Sequence, residues 1–249
     1  MEREYYEDIG YKPFLFYVIY GVTGEDLEVS QRRHHVEELP EGLELQTMNR
    51  QQHGPFMDGW LFGAMGSVLR RADDALVERC RQARTCVVLQ GSVKHDSTLD
   101  YMRNVIGIIQ AFAEQGAVGI LDPQTLTLYS PAQWTEKLFE KEVNALRHVA
   151  VLYSPQEEGY WIHTRGMAEF GRPDIGISGV PEQKLAGYTQ IVEQMIYYGG
   201  QGMFFARDVR LHTADGGAYV IRPEFVNDFE NEDYNNAYYK VTVLEETPG

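Results

Sequence analysis

The hydrophobic pattern of this chain changes period several times along its length. Residues Phe14–Tyr20, FLFYVIY, form an unbroken apolar and aromatic run between Pro13 and Gly21. Such a run predicts a central strand covered on both faces, although a buried helical turn has the same signature. The pattern then lapses: 24–44 is polar and acidic, with Val29 and Val36 as weak strand signals, and 49–55 is a polar break. From Asp58 the positions Trp60, Leu61, Ala64, Met65, Val68 and Leu69 fall at three–four spacing and predict a helix. Gly59, Gly63 and Gly66 on it would be costly unless another backbone comes close. Asp73 or Asp74 caps a second helix with Leu76, Val77 and Cys80 on its apolar face.

Residues 85–90 predict a strand, and Ser97 opens a helix with Leu99, Met102, Ile106, Ile109 and Ala113 on one face. Asp96 serves as its N-cap, or Ser97 with Asp100 as a capping box. Gly116 closes it, and 117–121 returns as a strand, either by a parallel crossover or with another strand between the two. An edge strand at 126–129 and a helix over 131–139 follow. The runs at 147–154 and from Tyr160 predict an antiparallel hairpin around the 155–159 turn. A helix start at 178–182 leads to a buried face of Leu185, Tyr188, Val192 and Met195, stopped at Gly199-Gly200. Strands at 203–209 and 218–222 flank a loop with Asp215-Gly216-Gly217, and 229–236 predicts a solvated turn. A half-exposed strand over 238–244 precedes a fraying EETPG tail. The sum is an α+β fold, a mostly antiparallel sheet with three to four packed helices. It is expected as a single domain over 1–249, with 1–56 as an N-terminal extension or subdomain.

Composition narrows the function more than the fold. A net charge of −15 over 249 residues argues against nucleic acid and anionic membranes as partners; it keeps the chain soluble, and could also steer a partner with a basic surface. The arginines at 70, 71, 79, 81 and 84 form a basic patch, expected as solvated helix faces paired with local acids. Cys80 and Cys86 cannot make a four-cysteine metal site and are expected as buried reduced thiols. His34 and His35 are neighbours and would point apart on a strand. His95-Asp96 invites comparison with metal phosphohydrolases, but those are all-helical and this pair is expected at a strand-to-helix corner of a mixed chain, so no metal or cofactor is expected. The opening MEREYYEDIG is acidic, unlike a signal peptide, and the apolar run at 60–69 is too short for a bilayer. A soluble, cytoplasmic protein is the expectation.

The densest chemistry lies at 160–177, YWIHTRGMAEFGRPDIGI. A strand, a short helix and a second strand are predicted, with Thr164 as N-cap and Gly171-Pro173 as the stop. Arg165 and Arg172 could grip a carboxylate or phosphate, or pair with Asp174 and pin the loop. His163 is a packing residue or a proton carrier. Arg222-Pro223-Glu224 echoes Arg172-Pro173-Asp174, and Asp174 with Glu224 would form an acid pair if both faced one cleft.

The run HTRGMAEFGRPDIGI resembles the later motif of the bacterial domain-of-unknown-function 4261 family. There a Thr, a Gly, a Phe-Gly pair and an acidic residue precede an apolar strand. CVVLQGSVKHDSTLDYMRNVIGIIQAFAEQGAVGILDP is similar to that family's strand, helix, strand block. The resemblance covers residues 84–224 and implies a fold type and a bacterial cytoplasmic setting, with no catalytic residues. Two functions remain in play. One is a non-catalytic protein-interaction module, immunity-like, binding a basic partner. The other is an enzyme or anion-binding protein using His163, Arg165, Arg172 and Asp174.

Overall fold

The computed structural model describes residues 1–25, 27–214 and 216–245. Its contacts sort into two compact units, one of residue 1 with 14–143, the other of 2–13 with 144 onward. This differs from a single domain carrying a 1–56 extension. The run at Phe14–Tyr20 is hydrogen-bonded along both edges, so the early chain belongs to a core.

The first unit runs β1 (Phe14–Tyr20), α1 (Gln31–His34), β2 (Leu43–Asn49), α2 (Arg50–Gly59), α3 (Gly63–Gln82), β3 (Thr85–Ser92), α4 (Asp100–Glu114), β4 (Gly119–Asp122), β5 (Thr127–Tyr129) and α5 (Pro131–Lys137). Its sheet has the order β2-β3-β1-β4-β5, antiparallel throughout. Since β3 and β4 both run against β1 on its two edges, they point the same way without pairing. The connection through α4 is therefore the one with a strand between. Both faces of β1 are covered, which is why its sequence does not alternate. Val18 and Tyr20 pack with Leu76, Val77 and Cys80 of α3. Tyr17 meets Trp134 of α5 edge-on, and the Trp134 indole N–H donates to the Ile106 carbonyl of α4.

Three local expectations change. The stretch at 43–49 is a strand and 50–59 a helix, because the Asn49 side chain accepts from Gln52 N–H and caps it. The helix expected from Asp58 breaks before Gly63, whose φ of 66° favours a glycine. A Cβ on Gly66 would lie 2.3 Å from the Leu61 carbonyl, so the close approach is real at that glycine. Helix α4 begins at Asp100, not Ser97, so neither Asp96 nor Ser97 caps it. Asp73 does cap, at a kink in α3, accepting from Leu76 N–H at 2.8 Å. Arg70 and Arg81 pair with Asp74 and Glu78 on the same helix. Burial pushes the free thiols up, Cys80 to about 12 and Cys86 to about 11.

The second unit runs α6 (Ala145–His148), β6 (Ala150–Pro155), β7 (Tyr160–Arg165), β8 (Asp174–Val180), α7 (Leu185–Gly200), β9 (Val209–His212), β10 (Ala218–Val226) and β11 (Tyr238–Glu245). Its sheet order is β6-β7-β8-β11-β10-β9, with β8 and β11 parallel and the other pairs antiparallel. Ile191, Val192, Met195 and Ile196 of α7 are buried, as are Ile162, Ile177, Ile221 and Val241 of the sheet. The helix start expected at 178–182 is instead the end of β8, and a 3₁₀ turn at Glu182–Lys184 leads into α7. The strand expected at 203–209 is irregular up to β9. Asp215 of the predicted loop and residues 246–249 lie outside the described residues.

The fold is thus α+β and mostly antiparallel. Four helices of ten residues or more are described, with three shorter ones. Among the described residues no helix is long and apolar enough to cross a membrane.

Candidate functional site

The 160–177 stretch folds as strand, 3₁₀ turn and strand: β7, Met167–Phe170, then β8. Gly166 and Gly171 bracket the turn at φ 115° and 62°, conformations that other residues rarely adopt. Gly166, not Thr164, is its cap. Thr164 lies in β7 and is fully buried. Its hydroxyl donates to Asp174 Oδ1 at 2.7 Å and accepts from Ile175 N–H at 2.9 Å, so it ties the two strands together.

Asp174 is fully buried and accepts three hydrogen bonds. Besides Thr164, Met167 N–H reaches Oδ1 at 3.3 Å and Asn236 Nδ2 reaches Oδ2 at 2.9 Å. Burial lifts its carboxyl from the ordinary 3.8 to about 6; the donors and the Arg165 charge pull the other way. Asn236 also donates to the Arg172 carbonyl, at 2.9 Å. One carboxylate thus holds β7, the 3₁₀ turn and the approach to β11 in one place.

The arginines serve the backbone. Arg165 Nη1 donates to the carbonyls of Glu232 and Asp233, at 3.0 and 2.8 Å. Arg172, 2% exposed, donates to the carbonyls of Gly202, Met203, Gly171 and Glu7. Arg3 is buried too and donates to Gly199, Gly200 and Phe170 carbonyls. Gly199 and Gly200 end α7, whose last carbonyls have no partner within the helix. Arg3 and Arg172 therefore place two cations at and just beyond that negative helix end, 5.7 and 6.0 Å from the centre of the Tyr6 ring.

His163 is 6% exposed and stacked on Trp161 at 3.7 Å between centroids, with Tyr234 edge-on to both rings. The Trp161 indole N–H donates to the Tyr234 hydroxyl, and Tyr234 stacks on Tyr238. This cluster requires Gly176. A Cβ there would sit 1.9 Å from the Tyr234 hydroxyl oxygen. Burial pushes the His163 imidazole down, and among the described residues its buried Nδ1 has no hydrogen-bond partner. Burial pushes the Tyr234 hydroxyl up.

Thr164 and Asp174 are thus brought into contact, with His163 on the strand beside them. Arg165 and Arg172 bond to different stretches of backbone and form no shared fork. Glu224 stands apart: it is exposed on β10, opposite Lys240 of β11. Two strand spacings and a two-residue offset separate it from Asp174, about 12 Å between Cα atoms. That is too far for an acid pair sharing a proton or a cation. Arg222, in the echoing segment, is exposed and forks onto Asp208. Among the described residues no three His, Cys, Asp or Glu are arranged to hold a metal ion.

Sequence reasoning missed Arg3, Tyr234 and Asn236. The stretch predicted as a solvated turn buries Tyr234 and Asn236. The Asn236 carboxamide meets a partner 62 positions away, and no local pattern announces it. No family model matches the chain, and no curated protein or solved structure is similar to it.

Proposed function

We propose that this protein is a non-catalytic interaction module whose acidic surface meets a basic protein partner, as an immunity protein meets a toxin. The observation that carries this reading is how the 160–177 motif spends its polar groups. Both guanidinium groups donate to the protein's own carbonyls, and Asp174 is sealed among three internal donors. Groups held this way stabilise a loop and have little left with which to grip an anion or move a substrate proton. The enzyme or anion-binding alternative at His163, Arg165, Arg172 and Asp174 loses its two guanidinium groups and its carboxylate on this ground, which leaves only the His163 ring with an unspent nitrogen among the described residues. The net charge of −15 supports the choice of a basic partner and disfavours nucleic acid. Two buried free thiols support a reducing, cytoplasmic setting, which the resemblance to the domain-of-unknown-function 4261 family also implies.

The test is affinity capture of the tagged full chain from native lysate at low salt, followed by sizing of the complex. The reading expects a stoichiometric basic protein that salt releases. A chain that stays alone and monomeric, with no stoichiometric companion, contradicts it.

A further inference from the structure

Strands β10 and β11 are antiparallel neighbours, yet the 227–237 segment between them does not turn back directly. It reaches across β8 to β7 and is fastened at three points. Arg165 holds the carbonyls of Glu232 and Asp233, Tyr234 sits edge-on to Trp161 and His163, and Asn236 Nδ2 reaches Asp174. Tyr234 is 5% exposed and closes over the His163 ring. The ring thus lies out of water with Nδ1 unpartnered among the described residues, and no catalytic or binding role uses it.

A proton added to such a ring loses hydration and finds no acceptor at Nδ1. The groups around it come from every neighbouring element. Arg165, two residues along β7, repels an imidazolium, while Asp233 of the segment and the Trp161 carbonyl attract one. Tyr234, and behind it Tyr238 of β11, present aromatic rings. The cross-strand partners, Leu152 of β6 and Gly176 of β8, have nothing to titrate. Burial outweighs the attractions and holds the ring below its ordinary 6.5. Water is regained at least cost by lifting the segment, which is irregular and has exposed residues on both sides of Tyr234.

We propose that His163 is a pH-sensitive latch on the 231–236 segment: the neutral ring lets the segment close over β7, and the protonated ring opens it. The latch does not depend on the interaction reading. Its hold is complete above 6.5 and is lost as pH falls, the open fraction rising by up to about tenfold per pH unit until the closed ring also titrates. Asp174 also holds the segment, through Asn236, but its contribution to stability has the opposite sign and is lost as pH rises through about 6.

The test is an NMR pH series on the isotope-labelled full chain and on His163→Phe, which keeps an aromatic ring on Trp161. Opening is read from hydrogen exchange at the Trp161 indole N–H, which donates to Tyr234, and the Asn235 N–H, which donates to the Asn231 carbonyl. Comparing wild type with His163→Phe cancels Asp174, present in both. Relative to that variant, wild-type protection at both groups should fall by up to about tenfold per pH unit below 6.5, while the β9–β10 ladder keeps its own. Level relative protection while the ring takes up its proton overturns the latch, as does loss in step with the ladder. An independent arm follows the ring itself in Tyr234→Ala, which removes the lid. The ring should titrate closer to 6.5 there than in wild type; equal midpoints overturn the proposal.

Discussion

Asp174 exchanges all its water for three donors, and the trade leaves its carboxyl holding a proton up to about pH 6. A folded value above the unfolded one has a definite sign. Its contribution to stability is complete below 3.8 and is lost as pH rises through about 6. The difference corresponds to roughly 3 kcal/mol. Urea unfolding of wild type and Asp174→Asn at pH 4 and pH 7 checks this. Wild type should lose roughly 2 kcal/mol relative to the variant between the two, since part of the effect falls below pH 4; a constant gap would mean the carboxyl ionises as freely folded as unfolded. A second residue-scale test concerns Gly176, where the Tyr234 hydroxyl fills the space of a side chain. Gly176→Ala should cost about 1–3 kcal/mol, and less in a Tyr234→Phe background. Equal costs in both backgrounds would remove the hydroxyl from the account. Thr164 illustrates how far one residue is legible. A hydroxyl seeking a backbone N–H could be inferred, but the N–H it found belongs to Ile175, across the hairpin.

At the scale of elements, the 3₁₀ turn between β7 and β8 is fastened to the C-terminal end of α7 by Arg172. A buried guanidinium satisfies several carbonyls at once, which no neutral side chain of its length can do. Arg172→Met should therefore cost about 3 kcal/mol or more, and Arg172→Lys should recover part of it. Denaturant melts of both variants decide this; a loss under about 1 kcal/mol in the Met variant would show the bonds to be incidental. The strand, turn, strand order of this stretch was legible because Gly171 and Pro173 punctuate it. Elements β2 and α2 were not. LELQTMN alternates too weakly to announce a strand, being buried at Leu43 and only partly at Leu45 and Met48. Its place is set by the register with β3, a partner about forty residues away. In α2 the polar run RQQHGP forms helical turns on either side of a kink at His53, started by the Asn49 cap and held by Phe56 and Trp60, which pack on the core of its unit.

On the scale of the whole molecule, the proposed interaction reading rests on charge. Acids outnumber bases by fifteen, while the motif richest in reactive residue types is turned onto its own backbone. The sequence made that motif conspicuous, since buried arginines and a buried aspartate need the same residue types as a binding site. Only the direction of their bonds separates the two uses. The most direct measurement is NMR of the arginine Nε–H signals of the ¹⁵N-labelled full chain during titration with phosphate and then acetate. The account predicts that the Arg165 and Arg172 signals exchange slowly with water and do not move. A saturable shift of either one with added anion would contradict it.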